Sequence, residues 1–295
     1  MATPSENTTQ SKSYLRNLLL SIGLCILALA FGWWAAYHLV TPPAVGVIRL
    51  NSDIWSWSAE LVALQIEEAR QNPRIKAVVF QIDSPGGVVT PTQELYLELL
   101  ELRRIMPVVS SIDSLAASGG YYLAMGTDPI FAKPSSTIGN VGVWGYAPLE
   151  YGVNDVILAS GPFKLTASNR SEFLREIESI KQEFLFTVLS SRNDRLVISL
   201  EDLSQGLTYL GRQAQELGLI DELGGKSEAI ERAAELAHIT HYDVIDLETV
   251  VIERLLGEEV SLQDVWIGAA DEMTGNRIIP PGIYLLYDIR FGGAP

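Results

Sequence analysis

The first strong pattern along the chain is a run without charge. From Leu18 to Val40 there is no Asp, Glu, Lys or Arg, so the stretch is apolar on every helical face. A helix of that length spans roughly 34 Å at ~1.5 Å per residue, enough to cross a hydrocarbon layer of ~30 Å. Trp33, Trp34 and Tyr37 gather towards its far end, where an aromatic belt sits. Two other readings compete. Ala28-Leu29-Ala30 has the A-x-A form of a signal-peptide cleavage site, but the apolar stretch runs ten residues past it. A buried core helix is disfavoured by the position of the segment, at the terminus behind a polar leader.

Beyond Thr41-Pro42-Pro43, which breaks the helix, the pattern changes to alternating strands and helices. Ala44–Leu50 reads as a strand. Leu61, Leu64, Ile66 and Ala69 mark a helix face running to about Gln71. Ala77–Ile82 is a β-rich apolar run stopped by the turn residues Ser84-Pro85-Gly86-Gly87. A helix over Thr92–Arg104, a strand over Pro107–Ile112, a helix over Ser118–Met125 and short strands over Pro129–Ala132 and Val141–Tyr146 follow. Phe173, Ile177, Ile180, Phe184 and Val188 recur every three or four residues, which predicts an amphipathic helix over Ser171–Arg192. Asn169 and Glu172 have capping-box spacing at its start. Helices over Gly211–Leu217 and Ser227–Ala237 and a strand over Tyr242–Leu247 complete an α/β pattern. After Leu247 the pattern is weaker: Pro280-Pro281-Gly282 interrupts it, and Ile283–Tyr287 reads as an edge strand. The division is a leader at 1–17, an anchor at 18–40, a domain at 41–247 and an extension at 248–295.

Composition sharpens this picture in three places. The 295 residues carry 21 Lys and Arg against 36 Asp and Glu, a net charge of -15. Only Glu6, Lys12 and Arg16 of these lie in the first 40 residues, so the acidic excess belongs to the domain. An acidic domain is a poor phosphate-backbone binder, so no nucleic-acid partner is expected. The basic leader predicts a cytoplasmic N-terminus with the domain on the other side of the membrane. A single Cys excludes a disulfide framework and a Cys-rich zinc site, and only three His are present.

Two strand-to-helix junctions carry candidate chemistry. Asp83-Ser84-Pro85-Gly86-Gly87 is on its own an ordinary tight turn, although its glycines allow exposed N–H groups. In Ala117-Ser118-Gly119-Gly120-Tyr121-Tyr122, Ser118 fits three uses: helix cap, close-packing residue or nucleophile. The pair says more than either part. On neighbouring parallel strands, one N–H from Gly86 or Gly87 and one from Gly119 would face an oxyanion formed at Ser118. Histidine is poorly supplied as the base: His38 lies in the apolar segment, and His238 and His241 fall at a helix end. Lysine serves when burial in an apolar pocket lowers its pKa. Lys164, in Ser160-Gly161-Pro162-Phe163-Lys164-Leu165, and Lys133, in Ala132-Lys133-Pro134-Ser135, are the two candidates.

These segments, taken in order, resemble the signal peptide peptidase A family, membrane-bound Ser/Lys proteases of the crotonase and Clp-protease superfamily. Asp83–Gly87 resembles its oxyanion-strand motif and Ala117–Tyr122 its nucleophile motif. Pro134–Val143 resembles the segment that follows, and Ser160–Lys164 the segment with the general-base lysine. Tyr209–Ala214, Leu217–Asp221 and Gly224-Gly225 resemble a further shared stretch. The resemblance runs from about Ala44 to Ala237. It implies a ClpP/crotonase-like α/β fold of repeated ββα units, Ser118 as nucleophile, Lys164 as base, and no cofactor or metal. It also implies signal-peptide remnants and other apolar peptides as substrates, and a homo-oligomeric ring. Where the family has a serine that orients the lysine, this chain has Asn140, whose side-chain carbonyl offers the same kind of acceptor. Two rivals share the fold: a crotonase-type acyl-CoA enzyme and a catalytically silent membrane scaffold.

Overall fold

The computed structural model describes residues 6–39, 41–146, 160–161, 163–257 and 283–286. They fall into two compact units, 1–42 and 43–295. The first unit is the helix α1 (Glu6–Leu39), and its Asn17–Trp34 stretch is long and apolar enough to cross a membrane. Its described side chains, Asn17 to Trp34, are all exposed.

The second unit runs β1 (Ala44–Leu50), α2 (Ser56–Gln71), β2 (Ile75–Ser84), β3 (Gly86–Val88), α3 (Val89–Ile105), β4 (Val108–Ala117), α4 (Gly119–Ala124), β5 (Ile130–Ala132), β6 (Thr137–Gly139) and β7 (Trp144–Gly145). It continues through α5 (Arg170–Arg192), α6 (Leu200–Leu203), β8 (Thr208–Leu210), α7 (Gly211–Glu216), β9 (Glu222–Leu223), α8 (Lys226–Leu236), β10 (Asp243–Asp246), α9 (Leu247–Gly257) and β11 (Ile283–Leu286). The main sheet is ordered β10-β1-β2-β4-β5-β9, and every pair along it is parallel. This is the parallel α/β arrangement expected of the Clp-protease and crotonase superfamily, and β2–β3–α3 is one ββα unit of it.

A parallel sheet is covered on both faces, and alternate side chains of one strand enter different cores. Ile48, Val78, Phe80, Ile82, Val108 and Ile112 enter the larger core, with Leu95, Leu99 and Leu102 of α3. Val45, Ala77, Val79, Val109 and Phe131 enter the smaller one, where Ala229, Ala233 and Ala234 bring α8 close. That two-sided burial is why the strands read as continuous apolar runs.

Several elements differ from the pattern-based expectation. β4 does not stop at Ile112 but continues to Ala117. Its first part pairs with β5 and its last three residues with β6, so the small side chains of Ala116 and Ala117 are buried between strands. The expected strand over Val141–Tyr146 shrinks to Trp144–Gly145, and Leu247 opens a helix rather than ending a strand. Ile283–Leu286 is a strand, as expected, but it is not an edge: it lies between β3 and β7 in a separate antiparallel sheet. Asn169 caps α5 by accepting from the Glu172 N–H at 2.9 Å.

One ion pair holds α5 to the sheet. Arg192, only 1% exposed, donates to both oxygens of Asp221 at 2.9 Å and to the Gly218 carbonyl at 2.8 Å. Asp221 also accepts from Arg195 at 2.9 Å and from the Ile130 N–H at 2.8 Å, where β5 begins. Burial works to raise the Asp221 carboxyl. The guanidinium groups and the Ile130 N–H outweigh it and hold Asp221 below its ordinary range.

Candidate active site

Ser118 stands at the junction of β4 and α4 with φ 52° and ψ -118°, a conformation that a residue with a β-carbon rarely adopts. The surroundings hold it there. Its N–H donates to the Gly139 carbonyl at 2.9 Å, and its carbonyl accepts from the Tyr122 N–H at 2.9 Å. Tyr121, fully buried, donates its hydroxyl to the Leu219 carbonyl at 2.9 Å, and burial pushes its phenol pKa up. The Tyr122 ring packs edge-on against Tyr96 and Phe184 at 5.0 and 5.1 Å. The two tyrosines of the motif are therefore the anchors that fix α4 behind Ser118.

The Gly-rich turn lies directly alongside. Gly86 has φ +98°, and a β-carbon on it would sit 2.5 Å from the Gly119 nitrogen and 2.0 Å from the Leu285 carbonyl oxygen. A β-carbon on Gly119 would lie 3.0 Å from the same oxygen. The carbonyl of Leu285 is thus seated between the two glycine turns, the second of which directly follows Ser118 in the chain. Gly87 is needed for another reason: a β-carbon there would lie 2.0 Å from the Ile54 carbonyl oxygen. Ile54 donates to the Gly86 carbonyl and accepts from the Val88 N–H, both at 2.8 Å. Successive N–H groups of a strand point to opposite edges, so the Gly87 N–H faces β11, where its partner is Leu285. The Gly86→Ala variant is expected to lose at least 90% of any activity of this site and to melt several degrees lower, roughly 1–3 kcal/mol of backbone strain. Thermal melts and hydrolysis assays check it, and wild-type values in both would contradict this geometry.

The other sequence candidates are spread more widely. Lys164 lies on an exposed turn with its N–H on the Gly161 carbonyl at 3.2 Å, and among the described residues no hydrogen bond joins it to Ser118. Residues 147–159 and Pro162, which lead into that turn, lie outside the described residues. Lys133 is paired with Asp113 at 3.0 Å, which commits its ammonium to a carboxylate. His238 and His241 are exposed. Asn140, with φ 53°, donates Nδ2 to the Gly206 carbonyl at 2.8 Å, while its own N–H donates to Leu207 at 2.8 Å. The acceptor end of its side chain is thereby turned away from Gly206.

Three site residues escaped the sequence reading: Trp55, Trp144 and Tyr284. Tyr284 of β11 stacks on Trp144 at 5.0 Å and meets Trp55 edge-on at 5.9 Å. Trp55 lies in a loop and Trp144 and Tyr284 in strands of two and four residues, too short to show a period, and only the pairing of β11 brings them together.

Comparison with known proteins adds the relationship. The family model of Peptidase family S49 matches residues 101–240, a span that includes Ser118 and Lys164. A protein of Synechocystis sp. provisionally named a protease is 35% identical over 224 residues, covering 70% of this chain and 79% of that protein. The chain belongs to peptidase family S49. Protease 4 of Salmonella typhi is 28% identical over 246 residues, 75% of this chain and 40% of its own length. The chloroplastic serine protease SPPA of Arabidopsis thaliana is 29% identical over 232 residues, 74% and 33%. The chain therefore spans less than half the length of these two relatives.

Proposed function

We propose that this chain is a membrane-anchored serine endopeptidase working through Ser118 and Lys164. The observation that carries the reading is the Leu285 carbonyl wedged between Gly86 and Gly119, the latter being the residue that follows a serine held in a strained turn. In the proposed reaction, Ser118 Oγ attacks the peptide carbonyl carbon and its proton passes to the neutral Lys164 amine. The Gly87 and Gly119 N–H groups receive the oxyanion. The Lys164 ammonium returns the proton to the leaving amine as the C–N bond breaks. Water, deprotonated by Lys164, then attacks the acyl ester and frees Ser118. The Asn140 carbonyl orients the lysine. Proton transfer needs Lys164 within ~3 Å of Ser118, so the proposed reaction requires Lys164 to come to Ser118 in the substrate-bound state.

The S49 membership and the Arabidopsis relative named a serine protease support this chemistry. The apolar helix α1 supports a single-pass anchor, with the N-terminus cytoplasmic and the domain beyond the membrane. Signal-peptide remnants and other apolar peptides are then the natural substrates. Exposed Leu174, Phe186 and Leu189 on α5 support a homo-oligomer, taken here as a ring.

A serine-directed fluorophosphonate probe tests the dyad. Detergent-solubilised wild type is expected to label stoichiometrically at Ser118, and Lys164→Ala at least ~100-fold more slowly. Equal labelling of both proteins sinks Lys164 as base. No labelling of wild type favours the silent scaffold, a reading that the exposure of Lys164 keeps open. Sedimentation of the labelled sample reads its assembly, and a pure monomer removes the ring.

A further inference from the structure

β11 lies in the candidate site as a peptide would lie there. It is extended and antiparallel to β3, with Tyr284 opposite Val88, Leu285 opposite Gly87 and Leu286 opposite Gly86. Its other edge pairs with β7, Ile283 opposite Gly145 and Tyr284 opposite Trp144. Both edges of the segment are thus spent on backbone pairing, which any sequence can provide. Selectivity has to come from side chains.

Two side chains are gripped. Leu285, 1% exposed, enters the larger core, and its carbonyl oxygen is the one between Gly86 and Gly119. Tyr284, 2% exposed, points to the opposite face and lies between Trp144, stacked with rings 27° apart, and Trp55, edge-on at 65°. Tyr146 packs edge-on against Trp144, with ring centroids 5.5 Å apart. Rings held in both the stacked and the edge-to-face arrangement form an aromatic slot, whose fit falls away for small or aliphatic side chains.

We infer that residues 283–286 occupy the substrate groove, with Leu285 in place of the residue whose carbonyl is attacked, and that Trp55 and Trp144 select an aromatic residue immediately before it. The inference rests on the endopeptidase reading, which it deepens: the preferred cleavage site is aromatic–aliphatic, cut after the aliphatic residue. A substrate reaches the groove only when the chain's own segment has left it.

Two fluorogenic peptides test this on the full-length protein in detergent, one containing Ile-Tyr-Leu-Leu and one Ile-Ser-Leu-Leu. Wild type is expected to favour the tyrosine peptide by roughly tenfold in kcat/KM, cutting after the first Leu. Trp144→Ala should bring the ratio close to one, and Trp144→Phe should keep most of it. Equal kcat/KM for the two peptides in wild type overturns the inference. A binding arm makes the result independent of catalysis. Full-length Ser118→Ala carrying Tyr284→Ser, whose own segment grips the slot less, is titrated with labelled forms of both peptides and followed by fluorescence anisotropy. A roughly tenfold tighter Kd for the tyrosine peptide supports the slot. Equal Kd values, or no binding of either peptide, overturn it. Selective binding without hydrolysis in wild type supports the groove and counts against the Ser118 chemistry alone.

Discussion

Ser118→Ala should lower the hydrolysis of an apolar peptide by roughly four orders of magnitude or more while the protein stays folded. The size follows from the chemistry. Without Oγ there is no acyl-enzyme, and only binding and the backbone donors remain to assist water. The folding part follows from the site. Alanine meets the same positive φ as serine, and the turn is held by the backbone bonds to Gly139 and Tyr122 and by the buried Tyr121 and Tyr122. A melting midpoint within a few degrees of wild type, about 1 kcal/mol, is therefore expected beside the lost activity. Unchanged hydrolysis would remove Ser118 as the nucleophile. A collapsed melting midpoint would mean the hydroxyl is structural.

The second large effect concerns stability. Asp221→Ala is expected to cost about 3–5 kcal/mol and to lower the melting midpoint by roughly 10 °C, because it leaves Arg192 buried with its charge uncompensated. The same substitution frees the start of β5, since the Ile130 N–H loses its acceptor, and leaves Arg195 with Asp128 as its remaining carboxylate partner. Arg192→Lys is not a rescue: an ammonium cannot reach both carboxylate oxygens and Gly218 together. The pH dependence has a definite sign. The folded-state pKa of Asp221 is held below its unfolded value. Its contribution is complete above the ordinary carboxylate range and is lost as pH falls through the depressed folded value. The gap between wild type and Asp221→Asn should therefore narrow in acid. Urea titrations at pH 7 and pH 3 measure it, and a pH-independent gap would contradict the assignment.

The parts of this molecule that were legible in its sequence are those governed by local pattern. The Phe173 to Val188 repeat marks α5, the apolar run before Ser84 marks β2, and the two small-residue turns mark where strand becomes helix. The logic of neighbouring parallel strands pairs Gly86 with Gly119, and the two do meet. What stayed hidden depends on contacts far apart in the chain. β6, β8 and β9 have two or three residues each, too few to show a period. Ile283–Leu286 reads as apolar and extended, but nothing local says that its partners are Gly86–Val88 and Trp144-Gly145, on either side. Arg192 ends a polar-faced helix and Asp221 follows a turn, so each alone looks solvated. Their pairing is a property of the assembled sheet. The apolar neighbours of Lys164 point to a buried amine, but Phe163 and Leu165 are themselves exposed, so they do not form a closed pocket.

The loop from Ser52 to Ser58 holds two devices at once. Ile54 braces the backbone of Gly86–Val88, Ser52 accepts the Ser84 hydroxyl at 2.7 Å, and Trp55, one residue further on, forms a wall of the aromatic slot. Ser58 ties the loop together by donating to the Asp53 carbonyl at 2.8 Å and accepting from the Trp55 N–H at 2.9 Å. Preference and turnover are consequently hard to vary separately from this side, because a drift that reshapes Trp55 also shifts the strand beneath Gly87. Laboratory evolution towards a new cleavage preference should accumulate its tolerated changes at Trp144 and Tyr146, across the groove, and leave the Ser52–Ser58 loop nearly untouched.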